Sequence, residues 1–198
     1  MTPAAERFAL LLSKSSLLLK QEGFRRKGSA FYHKWEHGFG IIQFQKSLKS
    51  TRHCVIFTVN LGIGVWPVAE FFDPGDRKEA LVNCQLRWRV GGLLAERQDK
   101  WWELHEHAGP ESDLVEIPGI LLGTCVPFVK NLQNLDRIVA LWSAGDPAGL
   151  TDIQRLVYLA VLLKFTGRTT ELASAIDGLE ASRQAPLLVR AYLEKLKA

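Results

Sequence analysis

Apolar and polar residues change rhythm twice along this chain, and the changes mark out three stretches. From about residue 5 to 22, Phe8, Leu11, Leu12, Ser15, Leu18 and Leu19 recur at helical spacing. Pro3 suits the start of such a helix and Gly23 its end, while Leu10 and Leu17 widen the apolar face toward a sheet. Between about 24 and 90 the period falls to two. Strands are expected at Phe24 to Lys27 and Ala30 to Glu36, joined by the turn Gly28-Ser29. Two more follow, Gly40 to Ser47 and His53 to Leu61, separated by Lys49, Ser50 and Thr51. Connections this short favour an antiparallel meander. Gly62 to about Ala80 interrupts the alternation and reads as a long loop or partial strand with a turn at Asp73-Pro74-Gly75-Asp76.

The next strand carries the most information. In Cys84-Gln85-Leu86-Arg87-Trp88-Arg89-Val90 the residues Cys84, Leu86, Trp88 and Val90 point one way, and Gln85, Arg87 and Arg89 the other. Trp101-Trp102 and a polar stretch from His105 to Ser112 lead into a helical remainder. Leu114 to Asn131, broken by Pro118, Gly119 and Pro127, predicts a kinked helix or two short ones. Leu135, Ile138, Val139 and Trp142 form another stripe. Thr151-Asp-Ile-Gln154 is a capping box before the nearly all-apolar Leu156 to Phe165, and a helical pair completes the chain. The expected class is α+β: an N-terminal helix on an antiparallel sheet of four to six strands, then a C-terminal helical region. Residues 1–145 are expected to form the α+β domain (helix 5–22, strands about 24–90, helices about 113–144), and 146–198 a helical extension packed on it.

Composition changes this picture little. The 198 residues are 47% hydrophobic and 23% charged, so a folded protein is expected and disorder does not dominate. The net charge of +4 is spread along the chain without the dense patch usual in nucleic-acid binders. Cys54, Cys84 and Cys125 lack CxxC spacing and are odd in number, which favours free thiols, buried for Cys54 and Cys84. No secretion signal is evident and no apolar run reaches the ~18 residues of a membrane span, so a cytoplasmic setting is expected, with no membrane partner.

Several blocks bear a resemblance. Gly23-Phe24-Arg25-Arg26 with Phe31-Tyr32, Gln43-Phe44-Gln45-Lys46-Ser47, Asn60-Leu61-Gly62, the Cys-x-x-Arg-x-Arg strand Cys84 to Arg89 and Trp101-Trp102 resemble a bacterial family catalogued as a domain of unknown function. The resemblance runs over about residues 5–145. It implies the fold and supplies no activity. His33 stands where that family tends to have Arg, which weakens any role for the position.

Candidate chemistry centres on the polar sheet face. Gln43, Gln45, Thr58, Asn60, Gln85, Arg87 and Arg89 share it if the strand registers agree, and amides with guanidiniums suit carboxylates, peptide backbone or nucleic-acid edges. A solvated face is the plainer reading. Trp101 and Trp102 cannot both face inward on one regular element, so one is expected at the surface as an interface anchor. His105-Glu106-His107, with His33 and His37, hints at metal or acid–base chemistry, but its polar setting before Gly109-Pro110 reads as a surface loop. No GxSxG, HExxH or phosphate loop is present, and no cofactor is expected. Glu96 and Asp99 are placed to form ion pairs with Arg87 and Arg89.

The function expected is a non-enzymatic bacterial interaction module, of which an immunity-type protein is one specific version. It would bind a protein partner through Arg87, Arg89, Gln43, Gln45 and Asn60, with Trp101 or Trp102 at the edge. One rival is an RNA or single-stranded nucleic-acid binder using the same groups. The other is an enzyme built from His33, His53, His105, Glu96 or Asp99.

Overall fold

A computed structural model of the chain describes residues 2–106, 115–181 and 187–197. The first helix, α1 (Pro3–Gln21), is fixed at both ends by local chemistry. Thr2 caps it by accepting from the Ala5 amide, and Gly23, at φ 89°, turns the chain out in the left-handed conformation that glycine tolerates. Ala4, Phe8, Leu11, Leu12, Ser15 and Leu19 are buried along one side. Leu10 and Leu17, expected to widen that side, are instead exposed. At 100° per residue they lie across the helix from the buried stripe.

The described residues fall into two compact units, Met1–Gly64 with Glu79–Gln133 and Val65–Lys78 with Asn134–Ala198. The first unit holds α1 and a six-stranded antiparallel sheet. Its strands are β1 (Arg25–Lys27), β2 (Ala30–Trp35), β3 (Gly38–Lys46), β4 (Cys54–Val65), β5 (Leu86–Arg89) and β6 (Trp102–His105). Sheet order follows chain order from β1 to β5. The strand β6 also pairs with β4, so β5 and β6 lie end to end along one edge of it. β5 takes Asn60 to Ile63 and β6 takes Cys54 to Phe57.

Pleating then sorts the side chains. Phe57 of β4 lies opposite Trp102 and Leu61 opposite Trp88, and these residues face α1. Phe8 meets the Phe57 ring edge-on at 5.4 Å, while Trp102 stacks on it at 5.5 Å. Phe44 and Phe31 extend the cluster along β3 and β2. The helical run after the sheet closes the same face: α3 (Glu116–Ile120), a π segment (Leu121–Cys125) and α4 (Val126–Asn131). Pro127 supplies no amide hydrogen, which accounts for the widened turn before it where a kink is expected. Trp88 packs edge-on against Phe128 of α4, and a Cβ on Gly40 would stand 2.2 Å from Val129, so glycine lets α4 approach.

Three expectations change. β4 does not stop at Leu61; it continues to Val65 and passes into α2 (Trp66–Phe72), with Pro67 in the first helical turn. Gly62 and Gly64 look like breaks in the sequence but serve close packing on the second face, under Cys84 and Leu81 and under the Phe39 ring. Cys84 does not share the side of Leu86. The strand begins at Leu86, after a tight turn (Leu81–Asn83), and the Cys84 sulfur sits over Gly62. The polar stretch expected from His105 begins one residue later, because His105 ends β6; residues 107–114, His107 among them, lie outside the described residues.

The second unit comprises α2 with α5 (Leu135–Ser143), α6 (Asp152–Phe165), α7 (Thr169–Ala181) and α8 (Leu187–Lys197). Both halves of the Thr151/Gln154 capping box are formed, and Ala160, Leu162 and Leu163 are buried on different sides of α6. Phe72, Tyr158, Tyr192 and Trp142 form a run of aromatic contacts in it, with Trp142 fully buried and the other three half-buried. Among the described residues no helix is long and apolar enough to cross a membrane.

Gly64→Ala would set a Cβ 2.0 Å from Cε1 of the buried Phe39 ring. The substitution is expected to destabilise the protein by about 1–3 kcal/mol. Chemical denaturation checks this, and an unchanged midpoint would refute the close packing.

Candidate functional site

The face of the sheet turned away from α1 has two halves. Around Gly62 and Gly64 it is covered by Phe39, Ile41, Leu81 and Cys84. Burial pushes the Cys84 thiol up to about 12, with the Arg87 charge opposing the rise, and burial lifts the Cys125 thiol equally. Both are free thiols, as is the half-buried Cys54 at the start of β4.

The other half is polar, and the register assembles it. Asn60 lies opposite Arg89, while Arg87, opposite the covered Gly62, stands at the boundary between the two halves. The Asn60 amide, only 6% exposed, donates to Gln45 Oε1 at 2.6 Å, joining β4 to β3. Gln43 shares the Gln45 side of β3 and is half-buried. Thr58 is fully buried and its hydroxyl donates to the Lys100 carbonyl at 2.8 Å, which holds the approach to β6. Arg89 donates to Asp99 at 2.6 Å, and its guanidinium lies 5.0 Å from the centre of the Trp101 ring. Trp101 Nε1 donates to the same carboxylate oxygen at 2.9 Å. Arg87 is exposed, and among the described residues no carboxylate lies within ion-pair distance of it.

The Trp pair separates by face. Trp101 stands at the surface beside Arg89, whereas Trp102 is 6% exposed in the aromatic core. Trp102 donates to Glu116, and Lys100 binds Glu116 at 2.8 Å while its ammonium lies 5.4 Å from the Trp102 ring centre. The Lys100 hydrogen bond, aided by that of Trp102, holds the Glu116 carboxyl below the usual glutamate range, against the opposing effect of burial. Asp99 pairs with Arg89 as its spacing suggests; nothing in the local sequence announces Glu116, which arrives from α3.

Of the groups considered for acid–base chemistry, His33, Glu96 and Asp99 lie on other elements than His53 and His105, which flank the same end of the β4–β6 pair. His33 packs on Phe24 and accepts at Nδ1 from Gln133, with burial and then the Lys130 charge lowering its pKa. Asp99 is committed to Arg89 and Trp101, and Glu96 is exposed in the connection between β5 and β6. His53 pairs with Glu106 at 2.8 Å, and His105 with Glu103 at 3.0 Å.

A leading helix, an antiparallel sheet with one apolar and one partly polar face, and a helical region after it define an α+β protein. The chain belongs to the family described as Domain of unknown function (DUF4304), whose family model matches residues 17–118, just over half of its length. No curated protein and no solved structure matches it.

Glu116 carries its charge more readily in the fold than in the unfolded chain. Its contribution is therefore present above the ordinary glutamate value of about 4.3 and is lost as pH falls through the depressed folded value. Glu116→Gln should remove this part of the acid dependence, so thermal melts at neutral and acidic pH should differ less than in the wild type. Coincident pH profiles would refute the anchoring role of the Lys100–Glu116–Trp102 group.

Proposed function

We propose that this chain is a non-enzymatic protein-interaction module that binds an acidic partner surface through the polar half of its sheet. Its specific form would be a cytoplasmic bacterial immunity-type protein that sequesters a toxin. The observation that carries the reading is the state of Arg87. This guanidinium is exposed without a carboxylate partner among the described residues, on the same face as Arg89, Trp101, Gln43 and Gln45. The planar fork of donors at Arg87, on the face where Trp101 stands beside Arg89, is suited to bidentate carboxylate recognition with an aromatic anchor. The supporting Gln45–Asn60 and Thr58–Lys100 bonds lie beneath or beside that row and hold the strands that present it. Preorganisation of this kind reduces the ordering cost of binding. Free thiols at Cys54, Cys84 and Cys125 agree with a reducing compartment.

Arg87→Ala with Arg89→Ala is expected to abolish retention of an acidic protein partner from native lysate. Both side chains are surface groups, so the melting temperature should barely move. Unfolding of the double variant would mean that the arginines are structural and would overturn the proposal. Retention of nucleic acid that falls steeply with salt, in place of a protein, would overturn it in favour of single-strand binding at Trp101.

A further inference from the structure

Toward the N-terminal end of β4, three side chains outside the arginine row converge. Cys54 lies opposite His105 in the β4–β6 pair, and Ile56 opposite Glu103. Residues 103 and 105 are two apart on one strand, so both project to the side that Cys54 occupies. The Cys54 Sγ is 3.8 Å from His105 Nε2, and the same nitrogen is 3.0 Å from Glu103 Oε2. The three donor atoms all lie within 4.8 Å of one another.

The direction of these contacts separates two chemistries. In a nucleophilic triad the carboxylate holds one ring nitrogen of histidine while the other faces the thiol. Here thiol and carboxylate both approach Nε2, so the three atoms bound a common point instead of forming a relay. Three ligand atoms of these types around one point are able to hold a cation. Around a tetrahedral zinc ion with bonds of about 2.0–2.3 Å, neighbouring donors stand roughly 3.3–3.8 Å apart. Two of the spacings, 3.8 and 3.0 Å, lie at or near that range, and the third is no more than 4.8 Å.

We propose that Cys54, Glu103 and His105 bind a divalent cation of the zinc type, clipping β6 to β4. A thiolate, an imidazole and a carboxylate are a donor set suited to zinc, whereas calcium and magnesium prefer oxygen alone. Thiolate and carboxylate together balance the double charge of the ion. Glu103 and His105 side chains are each 55% exposed, which leaves an entry path and a fourth position for water. The backbone beneath is held on both strands. The Cys54 amide donates to Thr51 Oγ1 at 3.2 Å, and Arg7 donates to the His105 carbonyl at 3.0 Å. His53 and Glu106, adjacent in sequence to two of the ligands, are paired with each other and stand outside the set.

The test uses the full chain, reduced and stripped with chelator, titrated with zinc by calorimetry and with cobalt by absorption spectroscopy. One equivalent should bind, cobalt should give a thiolate charge-transfer band with tetrahedral visible bands, and zinc should raise the melting temperature. Cys54→Ser should lose the charge-transfer band. His105→Ala should weaken zinc affinity by at least about tenfold, since even outer partners of a metal site cost that much. Glu103→Gln should weaken it as well. The Arg87→Ala/Arg89→Ala variant should bind zinc normally, which separates this site from the recognition face. Absence of the cobalt–thiolate band in the wild type would overturn the proposal, leaving only a His105–Glu103 ion pair. A band that persists unchanged in His105→Ala would also overturn it, because a solitary thiol would then suffice. If Cys54→Ser fails to fold, the exposed His105→Ala variant decides the matter alone.

Discussion

The register of β4 against its neighbours is the constraint on which the rest of the first unit depends. This strand has β3 along one edge and both β5 and β6 along the other. A slip of one residue in either of the latter pairings would carry Trp88 or Trp102 out of the aromatic core and put charged side chains in its place. Phe8, Phe44, Phe57 and Trp102 meet only in the observed register, and that apolar cluster is what holds it. The polar second face is thus a consequence of how the first face packs. Arg87, Arg89, Glu103 and His105 point outward because their strand neighbours are needed inside.

Within the second face, burial and hydrogen bonding are matched. Thr58 and Asn60 lie almost wholly out of solvent at the middle of a long strand, a position that would cost about 1–3 kcal/mol for each unsatisfied polar group. Each has a partner, Lys100 O for the first and Gln45 for the second. Thr58 ties the connection between β5 and β6 to the strand they share, and Asn60 ties β4 to β3. The exposed groups at the rim, Arg87, Arg89 and Trp101, therefore stand on a supported surface. Membership of the family described as Domain of unknown function (DUF4304) fits this architecture, since the matched residues span β1 to β6.

Local signals in the sequence announce some elements and hide others. The α1 boundaries follow from Pro3 and Gly23, the first hairpin from Gly28, and the α6 start from Thr151 and Gln154, because caps and tight turns act through residues a few positions apart. The α2 helix is hidden behind Gly62, Gly64 and Pro67. The two glycines suggest a loop until Phe39, Leu81 and Cys84 are seen to occupy the space that side chains would fill. The face taken by Cys84 is hidden likewise, since alternation holds only where the chain remains extended, and the regular strand begins at Leu86.

By itself, the sequence determined the α+β class and the alternation within each strand, which puts Gln43 with Gln45 and Arg87 with Arg89; that the two pairs share one face was left to the register. The class and the alternation follow from residue periods of two and 3.6, which any short stretch expresses on its own. Only the tertiary structure decided that Trp101 goes outward and Trp102 inward, that Arg89 is shared with Asp99 while Arg87 is not, and that Cys54 stands beside His105. That last pair is 51 residues apart in the chain. The pairing comes from burying Phe57 against Trp102, and a core contact between distant strands leaves no mark in the local alternation of either one.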